Sequence, residues 1–391
     1  MRTQVGIVGA GPAGLALSHL LHLAGIDSVV LESRSREHVE GRQRAGVLEH
    51  GTAEFLDRVG LGRRMQQLGM IERSIAFRFN GASHPINFSE ATGGRFMMVY
   101  PQHEVVCDLI EARLQARGAI LFDSPVAGLE GLQGSHPTIL FESNGRRREL
   151  VCDFVAGCDG FHGVCRNAIP ETVREEYSRI YPFAWLGILA EVPAYPEITW
   201  CYHSSGFAMI SKRTPTVSRI YLQCPPEDRP EGWSDDRIWS ELHARLDARD
   251  GIALRDGAIL QKGVAPMRSF VAEPMQYGRL FLAGDCAHVL PPTGAKGLNS
   301  AIADIRVLGR ALVEYYSGGK RDRLDRYSQI CLERLWMVQR FSSGLCNMVH
   351  ISPDHSPFER RLQLADLEFM TGTPAGRLSF SVNFTGLPVE A

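Results

Sequence analysis

The segment from Gln4 to Glu32 constrains the fold of this chain most, because its features follow one another in a fixed order. A short β-branched run, Val5 to Val8, leads into the glycine pattern GAGPAG, and leucines then recur with helical spacing up to Leu23. A second apolar run, Ser28 to Leu31, ends in Glu32. This order of strand, glycine turn, helix, strand and acid predicts a dinucleotide-binding βαβ unit.

Each part of this turn has an expected task in holding a dinucleotide. Gly9 permits the tight turn, Gly11 lets the backbone approach a pyrophosphate, and Gly14 completes the GxGxxG pattern. The N-terminus of the following helix offers free N–H groups to the phosphates. Glu32, eighteen residues after Gly14, lies where such a unit binds a ribose hydroxyl. A glycine-rich turn without a ligand is the alternative, and the combined features argue against it.

Composition narrows the class of protein further. A chain of 391 residues with 44% hydrophobic content is long enough for two or three lobes. With 42 Lys and Arg against 44 Asp and Glu, the net charge of −2 gives no basic field for nucleic acid or an acidic membrane surface. The nine cysteines form no CxxC pair and are predicted to be reduced thiols. Without a recognisable leader or a long apolar run, the sequence predicts a cytoplasmic enzyme acting on a small molecule.

Two further apolar strands end in acidic turns. The first, in DFVAGCDGFHGVCR, ends at Asp159-Gly160, and the second, in GRLFLAGDCAHVLPPTGAKGLN, ends at Gly284-Asp285. With these motifs in this order, the chain resembles the class A flavoprotein aromatic hydroxylases along nearly its whole length, and its 4-hydroxybenzoate-hydroxylating members in particular. The stretches that carry the resemblance are GAGPAG, RQRAGVLEHG, YPQHEV, AGCDGFHG, APMRSF and LAGDCAHVLPPTGAKGLN.

The resemblance implies a mixed α/β fold of α+β lobes. Residues 1–170 and 267–345 are expected to form a Rossmann-like βαβ FAD-binding domain of the glutathione-reductase type. Residues 171–266 are expected to form a strand-rich substrate-binding domain, in which WSDDRIWSELHARL is a helix. Residues 346–391 are expected to form a helical C-terminal segment. The flavin should lie between the lobes, and a homodimer is implied by the resemblance.

The cluster Asp285, Cys286 and His288 raises the alternative of a metal or nucleophile site. A zinc site needs further ligands at suitable spacing, so no metal is expected. The resemblance implies instead that Asp285 accepts a hydrogen bond from the FAD ribitol, while the other two residues pack beside it. The helix predicted to begin near Gly297 would direct its N-terminus at the flavin and stabilise its reduced form. The FAD site implied by the resemblance comprises Gly9, Gly11, Gly14, Glu32, Arg42, Arg44, Gln102, Asp159, Arg219, Asp285, Gly297, Leu298 and Asn299.

The segment SKRTPTVSRIYLQC lies where the family binds the carboxylate of its substrate. The resemblance assigns Ser211, Arg213 and Tyr221 to this task. A guanidinium can hold a carboxylate through two parallel hydrogen bonds, which a lysine cannot reproduce. The alternative is a solvated antiparallel strand, because Arg213, Arg219 and Tyr221 share parity along the chain.

The implied reaction has two parts. A pyridine nucleotide reduces FAD, and O2 then adds to give a flavin C4a-hydroperoxide, which transfers oxygen to the 3-position of a para-substituted benzoate, either 4-hydroxybenzoate or 4-aminobenzoate. Backbone groups of Pro292 and Thr293 would contact the para substituent and the peroxide. Three alternatives stay open: hydroxylation of 3,4-dihydroxybenzoate, NAD(P)H oxidation without hydroxylation, and a flavin-binding sensor without catalysis.

The para substituent is predicted from the positions of the family's catalytic proton relay. Relatives that act on 4-hydroxybenzoate ionise the phenol through two tyrosines and a histidine, and these positions hold Trp200, Phe384 and Glu72 here. A tryptophan donates a hydrogen bond but cannot relay a proton, and a phenylalanine does neither. An aniline needs no ionisation, so the change favours 4-aminobenzoate. A slipped register with Tyr202 as the relay residue is the alternative.

The electron donor is predicted from a third set of residues. His162, Arg166 and Arg268 match positions that bind NADPH in relatives. Arg34 and Arg36, which follow Glu32, could attract a 2′-phosphate. His38 departs from the pattern of strict NADPH users, so NADPH is favoured and NADH stays open.

Overall fold

A computed structural model describes residues 1–42, 46–193, 195–246 and 254–389 of the chain. The strands are β1 (Val5–Val8), β2 (Ser28–Leu31), β3 (Val47–Glu49), β4 (Met70–Glu72), β5 (Ile75–Phe79), β6 (Ala82–Ile86), β7 (Met97–Val99), β8 (Ala119–Leu121), β9 (Val126–Glu130), β10 (Thr138–Ser143), β11 (Arg146–Val151), β12 (Phe154–Gly157), β13 (Glu175–Ala190), β14 (Ile198–Cys201), β15 (Ala208–Lys212), β16 (Ser218–Cys224), β17 (Ile259–Glu273), β18 (Gln276–Tyr277), β19 (Leu280–Leu282) and β20 (His288–Val289). The helices are α1 (Pro12–Leu23), α2 (Arg36–Gly41), α3 (His50–Arg58), α4 (Gly62–Leu68), α5 (Phe88–Ala91), α6 (Gln102–Gln115), α7 (Asp235–Leu246), α8 (Gly297–Gly318), α9 (Asp322–Asp325), α10 (Tyr327–Val349), α11 (Pro357–Gly372) and α12 (Pro374–Thr385).

The first sheet has the order β18-β19-β12-β1-β2-β8, and all its pairs except β18–β19 are parallel. Its central strands are buried, which suits their continuous apolar runs. Helix α1, which packs with α6 and α8, lies on the Ile7 face of β1, and Ile139 of β10 lies on the opposite face at Gly6. Val8, Gly157 and Leu282 lie side by side in register at the carboxyl ends of β1, β12 and β19. The glycine turn and both acidic turns therefore meet at one edge of this sheet, as ligand sites of such sheets do.

The second large sheet has the order β20-β17-β13-β16-β15-β14-β5-β6. One face packs against α7, which is the helix predicted from WSDDRIWSELHARL, around Leu186, Ile220 and Trp239. The other face packs against the C-terminal helices around an aromatic core that includes Trp185 and Phe384. Because β5, β6 and β20 come from outside residues 171–266, the sheet extends beyond that span. The predicted domain boundaries stay a prediction.

Helix α10 belongs to both parts of the molecule. Its first half places Tyr327 and Leu335 in the core around the first sheet, and its second half places Leu345 and Val349 in the aromatic core. Two smaller antiparallel sheets complete the fold, with the orders β11-β10-β9 and β3-β7-β4. Among the residues described, no helix combines the length and apolarity needed to cross a membrane.

Candidate active site

The glycine turn after β1 forms a cradle open to a ligand. Gly9 has a φ of +104°, and a Cβ there would lie 2.4 Å from the Cys158 carbonyl oxygen. A Cβ on Gly14 would lie 2.0 Å from the Gly9 carbonyl oxygen, whereas one on Gly11 would have no neighbour within 4 Å. Helix α1 begins after Gly11 without a side-chain cap, so its first N–H groups face the space above Gly11. The turn fits a pyrophosphate that contacts backbone amides.

Two carboxylates border this cradle. Glu32 Oε2 accepts a hydrogen bond from the Ala10 N–H at 2.7 Å, which ties the end of β2 to the glycine turn. Asp159 Oδ2 accepts one from the Cys165 N–H at 2.9 Å. The other oxygen, Asp159 Oδ1, is buried and has no hydrogen-bond partner among the described residues. A buried acceptor without a partner is costly, so it fits a hydroxyl donor supplied by a bound FAD.

The turn at Asp285 is held by a buried histidine–aspartate pair that the sequence analysis did not predict. His288 Nε2 lies 2.7 Å from Asp304 Oδ2, and the same oxygen accepts the Gly284 N–H at 3.0 Å. Both side chains are almost fully buried, Cys286 packs beside them, and Asp285 is half-buried. In the described part of the chain, no group of His, Cys, Asp or Glu side chains is arranged to hold a metal ion. The cluster here is a histidine–carboxylate pair that fixes the turn.

The segment before α8 contains a buried lysine that the sequence analysis missed. Lys296 is 1% exposed, its ammonium pairs with the Glu49 carboxylate, and it donates hydrogen bonds to the Asn383 and Phe384 carbonyl oxygens at 2.6 and 3.0 Å. Burial lowers the pKa of Lys296, although Glu49 opposes this effect. A cation at the last carbonyls of α12 stabilises the helix end, so Lys296 fixes the position of Phe384.

The predicted FAD contacts near α8 and α2 have different surroundings. Asn299 lies in the first turn of α8 with Gly297 and Leu298. Its side-chain oxygen accepts a hydrogen bond from the Glu49 N–H at 2.8 Å, and its side-chain nitrogen donates one to the Val47 carbonyl oxygen at 3.0 Å. Pro292 and Thr293 form the 3-10 turn before this helix. Arg42 is exposed after α2, and Gln102 begins α6. The predicted FAD contact Arg44 lies outside the described residues.

The three predicted carboxylate-binding residues lie on one face of the second sheet. Ser211 pairs with Arg219 across β15 and β16, and its hydroxyl donates to the Arg219 carbonyl oxygen at 3.3 Å. The Arg219 guanidinium lies over the Tyr221 ring and donates to its hydroxyl oxygen at 3.1 Å. The Arg213 guanidinium makes no hydrogen bond or ion pair with a described residue, and burial followed by the Arg219 charge lowers its pKa. Two guanidiniums without a matching carboxylate create a site for an anion.

Two of the relay positions, Trp200 and Phe384, lie in the aromatic core together with Tyr221 of this anion site. The Trp200 and Phe384 rings meet edge to face, with centroids 6.2 Å apart. The Trp200 Nε1–H is buried and unpaired within the described residues. Tyr202, the relay residue of the slipped register, donates to Gln363 Oε1 on α11 at 3.2 Å. Glu72 is 3% exposed with an oxygen 3.0 Å from Lys212 Nζ, and burial raises its pKa.

The predicted nucleotide-binding residues meet around one phenylalanine. Arg166 and Arg268 lie on the Phe161 ring at 4.8 and 4.7 Å, and the His162 ring contacts its edge. His162 and Arg268 are exposed. Arg166 is buried, and it donates to the Cys286 and Phe161 carbonyl oxygens and pairs with Glu176. Arg166 therefore joins the two acidic turns, a contact the sequence did not reveal.

Comparison with known proteins finds a matching family and similar enzymes. The sequence profile of the FAD binding domain family matches residues 2–342. A p-hydroxybenzoate hydroxylase of Acinetobacter baylyi is 42% identical over 391 residues, which is all of this chain and 96% of the relative. A 3-(3-hydroxy-phenyl)propionate/3-hydroxycinnamic acid hydroxylase of Mycobacterium avium is 25% identical over 83% of this chain and 57% of its own.

Solved structures show the same fold. The p-nitrophenol 4-monooxygenase of Pseudomonas putida superposes with a TM-score of 0.84 over 99% of this chain and all of its own, at 20% identity. An anhydrotetracycline hydroxylase of Streptomyces rimosus gives 0.77 over 98% of this chain and 76% of its own, at 21% identity. The predicted fold class, an α/β FAD-binding domain with a strand-rich lobe and a helical C-terminus, is confirmed. The chain belongs to the FAD-dependent flavoprotein aromatic hydroxylases, which use NAD(P)H and O2.

Proposed function

We propose that this enzyme hydroxylates a para-substituted benzoate at the carbon next to the para substituent. The observation that carries the proposal is the pair Arg213 and Arg219, which have no carboxylate partner in the described part of the chain and lie beside the Tyr221 hydroxyl. Arg213 would bind the substrate carboxylate together with Ser211 and Tyr221, since a guanidinium matches its two oxygens, and Arg219 would contact the flavin. The 42% identity with a p-hydroxybenzoate hydroxylase supports the same substrate class.

FAD would supply the oxygen-transfer chemistry, and the chain would supply binding and a dry site. The turn of Gly9, Gly11 and Gly14 would leave room for the pyrophosphate of FAD. Hydroxyl groups of FAD would donate hydrogen bonds to Glu32, Asp159 and Asp285. The backbone at Pro292 and Thr293 would lie at the para substituent. The aromatic core with Trp200 and Phe384 would exclude water from the ring, which protects reactive species from hydrolysis.

The relay positions decide the para substituent. Neither Trp200 nor Phe384 can carry a proton from a phenol to the surface. The Glu72 carboxylate is paired with the Lys212 ammonium. A 4-aminobenzoate needs no such step, because its neutral nitrogen already donates electron density to the ring. The unpaired Trp200 Nε1–H favours a second candidate, 4-hydroxybenzoate, because a phenol oxygen would accept its hydrogen bond. We propose 4-aminobenzoate as the better substrate.

The deciding experiment measures hydroxylated product per NADPH consumed with each benzoate. We expect coupled turnover of 4-aminobenzoate to exceed that of 4-hydroxybenzoate, and the Glu72→His, Trp200→Tyr, Phe384→Tyr triple variant to shift the preference toward 4-hydroxybenzoate. Tightly coupled and much faster turnover of 4-hydroxybenzoate by the unmodified enzyme would show that the relay argument is wrong. Substrate-independent NADPH oxidation without product would instead support the oxidoreductase alternative.

The carboxylate site has its own test. Arg213→Met should raise KM for the benzoate by about two orders of magnitude, because a charge-assisted pair is lost, and Arg213→Lys should recover only part of it. Arg237→Met is the matched control, since that arginine stacks on Trp233 away from the site. Unchanged KM in Arg213→Met would remove the basis of the proposal.

The electron donor and the assembly are part of the proposal. His162 and Arg268 are exposed beside Phe161 and could contact a nucleotide, while the exposed Arg34 could bind a 2′-phosphate. NADPH is therefore proposed over NADH, and comparison of kcat/KM for the two donors tests it. The homodimer is proposed from the resemblance to the family, and light scattering tests it.

A further inference from the structure

A cavity of about 210 Å³ lies apart from most of the predicted site. It is bordered by the end of β3, the first turn of α3, the first turns of α8, one residue of α10 and the tail after α12. Among the residues assigned above to FAD, substrate or nucleotide, Asn299 alone lines it. The mechanism proposed for the enzyme leaves this cavity unused.

Three arginines line the cavity. Arg306 is half-buried and makes no hydrogen bond or ion pair with any residue described, although its guanidinium lies 5.8 Å from the Phe55 ring centroid. The Nε of Arg334 is buried and likewise unpaired, while its Nη2 lies 3.6 Å from Glu49 Oε2. Arg95 donates to the Gly386 carbonyl oxygen at 3.0 Å. Burial lowers the pKa of Arg306, and repulsion from Arg58 and Arg334 adds to this effect.

The carboxylates at the cavity do not neutralise these arginines. Glu49 is paired with Lys296, which is buried behind it. Glu54 is about half-exposed, and its carboxylate oxygen lies 3.2 Å from His50 Nε2. The other nitrogen of that ring, His50 Nδ1, is buried without a partner within the described residues. The cavity therefore has an excess of positive charge, and the Arg334 Nε–H is a buried donor that lacks an acceptor.

Two further features define the kind of anion that would fit. Helix α3 begins at this cavity without a side-chain cap, and its first-turn residues Gly51 and Thr52 line the space, so its free amides add to the positive potential. Part of the cavity wall is apolar. It consists of Ile302, Ala303, Leu387, Pro388 and Val389.

We propose that this cavity binds a small organic carboxylate, with its oxygens between Arg306 and Arg334 and its apolar body against the tail after α12. An anion there supplies the acceptor that Arg306 and the Arg334 Nε lack. The apolar wall distinguishes such a ligand from phosphate or chloride, which would leave that wall uncovered. The site is separate from the proposed carboxylate site, because neither Arg213 nor Tyr221 borders it.

The test uses the full-length, FAD-loaded Arg213→Met protein, so that the substrate site does not take up the probe. Cyclohexanecarboxylate is titrated by calorimetry at constant ionic strength, with acetate as the comparison. We expect one molecule of cyclohexanecarboxylate to bind per chain, with higher affinity than acetate. This affinity should fall by about tenfold or more when Arg306→Met is added. Arg310→Met is the matched control, because Arg310 is on the same helix, exposed and outside the cavity. Its affinity should stay unchanged.

Several outcomes would overturn the proposal. These are no binding, equal affinity in the Arg306→Met and Arg310→Met proteins, and equal affinity for acetate. Leu387→Ser gives a second reading, because it should weaken cyclohexanecarboxylate and leave acetate unaffected. If Arg306→Met does not fold, a crystal of the Arg213→Met protein soaked in 4-bromobenzoate decides. An anomalous bromine peak against Leu387 and Ile302 supports the site, and its absence refutes it.

Discussion

Gly11 and Gly14 differ in what an added methyl group would meet. On Gly14 it would press on the Gly9 backbone at 2.0 Å, whereas on Gly11 it would enter open space. Gly14→Ala should therefore reduce the free energy of unfolding of the apoprotein by about 1–3 kcal/mol through overpacking, and weaken FAD binding with it. Gly11→Ala should leave apoprotein stability unchanged and weaken FAD binding alone, because its methyl group occupies the predicted phosphate space.

Chemical denaturation of both apoproteins and fluorescence titration with FAD separate these effects. Gly25→Ala is not a suitable control, because Gly25 has a φ of +69°. Gly128, in β9, has open space for a Cβ and lies outside the predicted site, so Gly128→Ala serves as the control. Unchanged FAD affinity in Gly11→Ala would contradict the assignment of the pyrophosphate to this turn.

The His288–Asp304 pair gives a second prediction at this scale. Burial alone lowers the pKa of His288, but Asp304 outweighs it and the pKa lies above its usual value of 6.5. The stabilisation is therefore complete below about pH 6.5 and is lost as the pH rises through the folded-state pKa. Relative to His288→Gln, the unmodified protein should lose unfolding free energy as the pH rises above about 6.5. Parallel pH profiles of the two proteins would show that His288 is neutral when folded.

At the scale of elements, α10 ends in a histidine with the opposite pH response. The Trp185 indole N–H donates to His350 Nε2 at 2.7 Å, and His350 Nδ1 donates to the Cys346 carbonyl oxygen at 2.8 Å. The ring is stacked on Phe183 with a centroid distance of 4.5 Å. Burial lowers the pKa of His350 to about 3, so the ring stays neutral where the unfolded chain takes up a proton.

This pair of elements should therefore weaken in acid. The stabilisation from neutral His350 is complete above about pH 6.5 and declines as the pH falls toward 3. Urea unfolding of the unmodified protein should show a loss of about 2 kcal/mol between pH 7 and pH 5 that His350→Asn does not share. An equal acid loss in both proteins would place the sensitivity elsewhere.

The elements that bind the dinucleotide were predictable from sequence because local patterns determine them. β1, α1, β2 and α7 lie where their apolar spacing, glycines and acids indicated. The pairs Lys296–Glu49, His288–Asp304 and Trp185–His350 were not predictable in this way. Their members are far apart in sequence or on separate elements, and a single buried histidine or lysine carries no spacing signal. The predicted roles of the individual site residues stay predictions.

At the scale of the whole molecule, the two large sheets are joined through α10 and the C-terminal tail. Residues of α10 contribute to the core around the first sheet and to the aromatic core on the second sheet. The Lys296 ammonium adds a polar link, because it joins the segment before α8 to the last carbonyls of α12. We therefore expect the two parts to unfold together.

FAD removal tests this coupling, because the predicted FAD contacts lie mainly on the first sheet and α8, whereas four of the five tryptophans lie within residues 171–266. Free FAD at about one hundred times its Kd should stabilise the folded chain by about 2.7 kcal/mol. If the parts are coupled, the thermal midpoint read by tryptophan fluorescence should rise with FAD. Ser342→Pro interrupts α10 between its two core-facing halves, where Ser342 is fully buried, and should abolish that rise. Ser342→Ala is the control, because it keeps the helix intact. If the midpoint read by tryptophan fluorescence does not change with FAD in either Ser342→Ala or the unmodified enzyme, the two parts unfold separately.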